Sequence, residues 1–316
     1  MVALEVIDPG LMVQLQDLGR TGMGHQGVAQ GGPMDLHAYC WANYLLGNDM
    51  NCPQLEITAG QATFLAHQPV TLALTGADLD ARVNKQSIMG WQTIHLTRGD
   101  ELSFRFPKSG LRAYLAIPGG FLAPTVFGSV ATVVRDRMGG LACDDGGAGK
   151  GHLVGQNAIL EARSGVVFTP GINRMVPVRY IPLYGKDLQL NVIESYQASG
   201  FSRESKACFY RSGFTLSPDS DRMGYRLDGP VIKPPGSGVI SEGIAPGAVQ
   251  IPENGQPIIL MRDRQTLGGY PKIGCVPQLD LNKLAQAMPG TLLSFCPITH
   301  DQAKERLKHF YAFFCL

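Results

Sequence analysis

Glycine and proline divide most of this chain into short β-type runs. Of the 316 residues, 39 are glycine and 21 are proline, and glycine is well above its usual share of about 7%. Apolar and β-branched residues fill the runs between them, among them LEVID, MVQLQ, PVTLALTG, QTIHLT, VPVRYI, LQLNVI, PIILM, CVPQLDL and TLLSF. Short runs of this kind bounded by turn residues are typical of strands. The sequence therefore predicts a mainly β fold.

Only a few segments have the spacing and end signals of helices. The first covers Asp35–Leu46 and stops before Gly47, a residue common just after a helix. The second is LNKLAQAM, and the third is the carboxy-terminal DQAKERLKHFYAFF, with Thr299 or Asp301 as its N-cap. We therefore expect few, short helices beside the strands.

Two short motifs recur along the chain in the same order. RTGMGHQG (20–27) is matched by RMGYRLDG (222–229), and RGDELSF (98–104) is matched by PGTLLSF (289–295). An ordered repeat predicts duplicated structural units, although strand and turn motifs also recur by chance. We predict two β-barrel domains that arose by internal duplication. The first spans residues 1–188, with an inserted glycine-rich segment, and the second spans 189–316.

Composition and motifs exclude several classes of function. The 27 basic and 26 acidic residues leave a net charge of +1, so no field of one sign attracts nucleic acid or an anionic membrane. The seven cysteines form no C-x-x-C pair and the seven histidines are widely separated, so we expect no metal site. No signal peptide or uninterrupted apolar span is evident, and we expect a cytoplasmic protein.

The segment GGLACDDGGAGKG (139–151) is rich in glycine and includes Lys150. It lacks the G-x-x-x-x-G-K-[ST] pattern and a following helix, both of which a phosphate-binding loop requires. We predict a flexible turn here, not a nucleotide site.

The segment DRQTLGGYPKIG (263–274) is the strongest candidate for a functional loop. It places Asp263, Arg264, Gln265, Tyr270 and Lys272 among three glycines, between two apolar runs. Cations bind carboxylates or phosphates, an aspartate accepts a proton, and an amide recognises another amide. A plain turn needs fewer glycines and fewer polar side chains, so we interpret this loop as a ligand site.

Two further polar clusters lie near the amino terminus. One contains Gln16 and Arg20, and the other contains Asp35 and Asn43 on or beside the first helix. A structural alternative exists for the Asp-Arg sequences at 17–20 and at 221–222, since such residues often brace turns. For those sequences we favour the structural interpretation.

Long matching stretches identify a family resemblance over almost the whole chain. They include VQLQDLGRTGMGHQGVAQGGPMD, LEITAGQATF, LTGADLDARVN, SPDSDRMGYRLDGP and ISEGIAPGAVQIPENGQPIILMRDRQTLGGYPKIG. The chain resembles the biotin-dependent carboxyltransferase-like family. Its members include the C subunits of 5-oxoprolinases, the antagonist of a sporulation-kinase inhibitor, and part of the urea amidolyase carboxyltransferase domain.

The resemblance implies two cyclophilin-like β-barrels and a role in a heteromeric, ATP-dependent 5-oxoprolinase. Such a complex opens the lactam of 5-oxoproline to give glutamate, with 5-oxoprolinase subunits A and B as partners, the second of which has a related fold. ATP is then a cofactor of the complex. The chain lacks the Met-Lys-Met context of a biotin acceptor, so we expect no attached biotin.

The residues of the three clusters receive roles on this basis. We predict that the catalytic residues are Asp263, Lys272 and Asn43. We predict that the substrate-binding residues are Arg264, Gln265, Tyr270, Arg222, Gln16, Arg20 and Asp35.

Two other functions stay open at this point. One is carboxyl transfer in a biotin-dependent urea or amide carboxylase. The other is a non-catalytic binding module that antagonises a kinase-inhibitor protein.

Overall fold

The computed structural model describes residues 1–141, 149–236 and 239–316 and divides the chain into two compact units. The first unit contains residues 1–20 and 31–184, and the second contains residues 21–30 and 185–316. Within the described residues the fold is mainly β with four α-helices, which confirms the predicted fold class.

The strands of the first unit form two sheets. One sheet has six strands in the order β11-β1-β4-β9-β6-β7, and the other has five in the order β2-β3-β10-β5-β8. The strands are β1 (Val2–Pro9), β2 (Met12–Gln16), β3 (Gln54–Thr58), β4 (Ala62–Ala66), β5 (Val70–Asp78), β6 (Arg82–Val83), β7 (Gln86–Ser87), β8 (Gln92–Leu96), β9 (Glu101–Ser103), β10 (Ser109–Ala116) and β11 (Ile159–Glu161).

One apolar core serves both sheets of this unit. Leu4 and Phe64 from the first sheet and Leu15, Leu55 and Leu115 from the second belong to the same buried cluster. Burying such side chains is the main favourable contribution to folding, about 25 cal/mol for each Å² of apolar surface.

Helix α1 (Leu36–Leu46) packs on strands β5 and β10 of the five-stranded sheet. The Asp35 side chain caps its first turn by accepting the N–H of Ala38 at 3.1 Å, and Gly47 ends it with φ +69°. The end signal at Gly47 is confirmed, and the helix begins one residue after the predicted start at Asp35, which serves as its N-cap. β5 is buried along nearly its whole length because α1 covers the face that points away from the core.

The second unit contains a closed barrel of seven strands in the order β12-β19-β16-β17-β14-β13-β20. A small two-stranded sheet, β15-β18, lies outside this ladder. The strands are β12 (Asp187–Glu194), β13 (Phe214–Leu216), β14 (Gly224–Asp228), β15 (Glu242–Gly243), β16 (Ala248–Gln250), β17 (Ile258–Leu260), β18 (Leu267–Gly268), β19 (Lys272–Cys275) and β20 (Leu292–Pro297).

The barrel interior is apolar and aromatic. Tyr225, Val249 and Ile259 are buried in adjacent strands. Helix α2 (Arg203–Arg211) packs on β20 and stacks Phe209 on Phe295, with ring centroids 4.3 Å apart. The sequence patterns did not indicate α2, whose N-cap is Ser202.

Two helices follow the barrel strand β19. Helix α3 (Gln278–Leu284) begins three residues before the predicted LNKLAQAM and ends earlier. Helix α4 (His300–Phe314) begins after Thr299, which forms a capping box with Gln302 and confirms one of the two predicted N-caps.

Two of the predicted strands are wrong, and proline is the cause in both. CVPQLDL leaves β19 after Cys275 and turns into α3 at Pro277, which serves as the N-cap of that helix. VPVRYI contains a 3₁₀ turn, Val178–Tyr180, after Pro177. A proline cannot donate to a β-ladder, so a strand rarely continues through it.

The second repeated motif adopts the same turn in both units. Gly99 and Gly290 have φ of +89° and +88°, and each is followed by a residue that donates its N–H three residues back. Glycine adopts this conformation without the steric cost of a side chain. No helix in the described part of the chain is long and apolar enough to cross a membrane.

Candidate functional site

Arg222 and Asp263 form a buried, two-pronged ion pair in the second unit. Nε and Nη2 of Arg222 donate to Oδ2 and Oδ1 of Asp263 at 2.9 and 3.0 Å, and both residues are buried. Arg222 precedes β14 and Asp263 follows β17, and these strands pair antiparallel. The register therefore brings together two residues that are 41 positions apart.

Lys272 belongs to a second ionic cluster at the start of β19. Its Nζ lies 2.5 Å from Oε1 of Glu242, and its N–H donates to Oε1 of Gln197 at 2.8 Å. The Tyr196 hydroxyl donates to Oε2 of Glu242. Lys272, and next Tyr196, lower the pKa of Glu242 by binding its ionised form. Lys272 is thus paired with a partly exposed carboxylate.

Arg264 lies in the same loop, between these two pairs. Its Nε donates to the carbonyl oxygen of Ile244 at 2.9 Å, while Nη1 is buried and bonds to none of the described residues. Burial, and next the charge of Arg262, lower the pKa of Arg264 to about 10. Even so, the guanidinium remains charged at neutral pH.

Close packing explains the three glycines of the loop 263–274. A Cβ on Gly268 would lie 2.4 Å from Cδ1 of Ile244, and one on Gly274 would lie 2.3 Å from Cγ1 of Val192. A Cβ on Gly269 would lie 3.0 Å from the oxygen of Val239. None of the three has a positive φ. These glycines are therefore required for close approach and do not by themselves indicate a ligand.

The loop lies on the outer face of the barrel. Residues alternate along β16 and β17, so Val249 and Ile259 point into the core while their neighbours point outward. Ile244 packs on the outward side chains Ala248 and Leu260, and β15 pairs with β18 of the loop. This contact anchors the loop over the barrel strands β16 and β17.

Gln265 and Tyr270 line a cleft of about 330 Å³ beside this contact. Arg226 of β14 and Gln250 of β16 line the same cleft. The structure therefore brings two of the predicted binding residues together with two residues that the sequence patterns did not single out. Arg226 and Gln250 look like ordinary strand residues in the sequence, and only the strand pairing places them here.

In the first unit, Arg20 binds the loop formed by residues 126–131. Its Nε and Nη1 donate to the carbonyl oxygens of Val126 and Ala131 at 3.0 and 2.9 Å. Asp17 binds the same loop, accepting the N–H of Val130 at 2.9 Å, and also accepts the N–H of Gly19. Asp17 thus braces its turn as expected, while Arg20 contacts a distant segment.

Asp35 is part of a buried polar network that includes a glutamate. The Tyr114 hydroxyl donates to Oε2 of Glu56 at 2.7 Å and accepts the N–H of Asp35 at 2.8 Å. Arg112 lies 3.6 Å from Oε1 of Glu56. Burial, and next the charges of Glu56 and Asp35, raise the pKa of Tyr114 well above its usual value. This network keeps Tyr114 protonated and fixes the start of α1.

Gln16 and Asn43 are buried and hold backbone segments. Gln16 donates to the carbonyl oxygen of Thr132 and accepts the N–H of Gly32, each at 3.1 Å. Asn43 donates to the carbonyl oxygens of Met50 and Cys52 at 3.2 and 3.1 Å. Their predicted functional roles stay predictions, and each requires the amide to leave these partners.

The ten predicted site residues thus divide between the two units. The four in the first unit are Gln16, Arg20, Asp35 and Asn43, and the six in the second are Arg222, Asp263, Arg264, Gln265, Tyr270 and Lys272. Glu56, Glu242 and Tyr196 were missed, and a lone acidic or tyrosine residue in a strand or loop carries no sequence signal for such a network.

The glycine-rich segment 139–151 lies partly outside the described residues, which omit 142–148, so the turn predicted there is untested. Lys150 bridges to Gly139, and the next regular element is the strand β11. A phosphate-binding loop is followed at once by a helix, whose N-terminus binds the phosphate. The described part of this segment does not fit a nucleotide. Among the described residues, no three His, Cys, Asp or Glu side chains cluster for a metal.

This chain belongs to the carboxyltransferase-domain family, because the family model "Carboxyltransferase domain, subdomain A and B" matches residues 26–297. That match confirms the family expected from the sequence. The chain is 35% identical over 305 residues to the 5-oxoprolinase C subunit of Escherichia coli (strain K12), covering 95% of this chain and 93% of the relative. It is 32% identical over 309 residues to the 5-oxoprolinase C subunit of Haemophilus influenzae, covering 97% and 95%.

A solved structure extends the family relationship to the fold. The crystal structure of Kluyveromyces lactis urea amidolyase superimposes with a TM-score of 0.86 at 27% identity. The match covers 99% of this chain and 20% of that one. This chain therefore spans about one fifth of the length of the urea amidolyase.

Proposed function

We propose that this chain is part of an ATP-dependent 5-oxoprolinase that converts 5-oxoproline to L-glutamate together with the partner subunits A and B. The main support is the near end-to-end match to two proteins named as C subunits of 5-oxoprolinase, which covers 93% and 95% of those relatives. A match over the full length of a relative supports a shared role better than a match to one part of a larger protein.

The proposed reaction needs more than binding, because the lactam is an amide and resists hydrolysis. ATP in the complex supplies activation of the carbonyl. The described part of the segment 139–151 does not fit a phosphate-binding loop, so we assign no ATP step to that segment.

The contribution of this chain is then to bind and orient the lactam acid. Arg264 donates from Nε to the carbonyl oxygen of Ile244 and its Nη1 is buried, so its predicted contact with the substrate requires the loop to open. Lys272 and Asp263 already have charged partners, Glu242 and Arg222. We infer that these two ion pairs shape the loop in the absence of substrate. Lys272 or Asp263 would act on a substrate only after the substrate had displaced its ionic partner.

One specific observation favours a second function, carboxyl transfer in a biotin-dependent urea carboxylase. The K. lactis urea amidolyase shares the fold at 27% identity over nearly the whole chain. In that case the substrate is a urea or amide, and a separate biotin carrier supplies the carboxyl group.

A single experiment separates the two functions. The purified chain is combined with subunits A and B, and glutamate release from 5-oxoproline is measured with and without ATP. A parallel mixture contains a biotin carboxylase, its carrier and urea, and carboxylation of urea is measured. The proposal predicts ATP-dependent glutamate release in the first mixture only, and carboxylation in the second mixture alone would replace it with the second function.

A further inference from the structure

We propose that the cleft on the outer face of the barrel binds a small carboxylic acid that also carries an amide group. Residues Arg226, Gln250, Gln265 and Tyr270 would make the contacts. Identifying that ligand with 5-oxoproline rests on the proposed function, but the assignment of the cleft and of the ligand class does not.

The first observation is a buried amide N–H donor that has no hydrogen-bond acceptor among the described residues. Gln250 is 1% exposed, and its Nε2 makes no hydrogen bond to any described residue. A buried donor without an acceptor is costly, and most such groups in proteins are satisfied. A carbonyl or carboxylate oxygen in the cleft would supply the missing acceptor.

The loop holds this amide in place. A Cβ on Gly268 would lie 3.1 Å from Nε2 of Gln250, so the loop backbone passes directly beside it. Gln265 and Tyr270 come from the same loop, on either side of Gly268. The packing that requires glycine at 268 therefore also assembles the cleft.

The second observation is a set of polar side chains with no internal role. The guanidinium of Arg226 and the polar groups of Gln265 and Tyr270 make no hydrogen bond or ion pair with the described residues. Arg226 offers a paired donor for a carboxylate. Gln265 offers both a donor and an acceptor, which matches the two sides of an amide.

The charged residues that line the cleft limit the net charge that a ligand can carry. Arg226 is matched by one acidic residue, Asp221, whose Oδ1 accepts the N–H groups of Met223 and Gly224. A lining with one cation and one anion disfavours a polyphosphate and suits a singly charged acid. The volume of about 330 Å³ is at the small end of ligand pockets.

The test compares three small molecules on the purified full-length chain and on its complex with subunits A and B. The probes are 5-oxoproline, 2-pyrrolidinone, which lacks the carboxylate, and cyclopentanecarboxylate, which lacks the amide. Binding is measured by ligand-observed NMR. We expect 5-oxoproline to bind at least about tenfold more tightly than either fragment, since hydrogen bonds to charged groups are among the stronger ones.

Two substitutions and a control locate the site. Arg226→Gln and Gln250→Leu should each weaken 5-oxoproline binding about tenfold or more. Arg203→Gln changes an exposed arginine on α2 that does not line the cleft, and should have no effect. Circular dichroism and the melting temperature check that each variant is folded.

The outcomes separate this inference from the proposed function. Wild-type affinity in both Arg226→Gln and Gln250→Leu, equal binding of a fragment, or no binding to chain or complex overturns the cleft assignment. If the complex releases glutamate at an unchanged KM in both variants, the proposed function stands without this cleft. If Arg226-dependent binding persists while the complex has no 5-oxoprolinase activity, the cleft stands and the proposed function fails.

Discussion

Removing the carboxylate of Asp263 tests the ion pair at the head of the loop. Asp263→Asn keeps the shape of the side chain but leaves the buried guanidinium of Arg222 without its counter-charge. Breaking a buried pair by neutralising one partner typically costs about 3–5 kcal/mol. Because asparagine retains one acceptor for Arg222, we expect a loss of about 3 kcal/mol. In a unit of this size that lowers the melting temperature by about 10 °C.

The assay is differential scanning calorimetry of the isolated chain, with two further variants. Asp219→Asn removes an exposed carboxylate shortly before β14, the strand that follows Arg222. It should shift the melting temperature by less than about 2 °C. The double variant Arg222→Met with Asp263→Leu removes both charges and should recover much of the stability, since apolar replacement of a buried pair is often neutral.

The result that would refute this reasoning is a melting temperature for Asp263→Asn within about 2 °C of wild type. The ion pair would then contribute little to the fold. If that variant also lost activity in the complex, the carboxylate would act directly on substrate, as the sequence predicted.

Three further predictions concern other parts of the structure. The pKa of Glu242 is lowered in the folded protein, so its contribution to stability is present above the unfolded value near 4.5 and is lost as pH falls through the lower folded value. Glu242→Gln should remove this part of the pH dependence of the melting temperature, because Lys272 loses its anion. Gly274→Ala should cost about 1–3 kcal/mol in urea unfolding through overpacking. Gly243→Ala, which has open space around it, is its control. Glu56→Gln should destabilise the first unit by about 3 kcal/mol in the same assay, because its cationic and hydroxyl partners remain buried.

Local signals predicted the helices whose ends are chemically marked. Asp35 and Gly47 define both ends of α1, and Thr299 defines the start of α4, because caps depend on a few neighbouring residues. Helix α2 was missed because its short polar sequence resembles a loop. The run VPVRYI (176–181) has the apolar spacing of a strand. The strand prediction was wrong because Pro177 prevents a continuous ladder.

The candidate site was predictable in part. The sequence showed that loop 263–274 is polar and rich in glycine, but not that the glycines are required for close packing or which polar groups are already paired. Whether Asp263 meets Arg222 depends on the register of β14 and β17, which local sequence does not determine. The same limit explains why Arg226 and Gln250 were overlooked, since strand pairing alone brings them to the cleft.

The most direct test of the proposed role is an omission experiment on the assembled enzyme. Initial rates of ATP-dependent glutamate release from 5-oxoproline are measured with subunits A and B alone, with this chain alone, and with all three together. We predict glutamate release only when all three are present, and recovery of the full rate when purified chain is added back. An equal rate without this chain, or no release from a complex that demonstrably assembles, would contradict the proposed role.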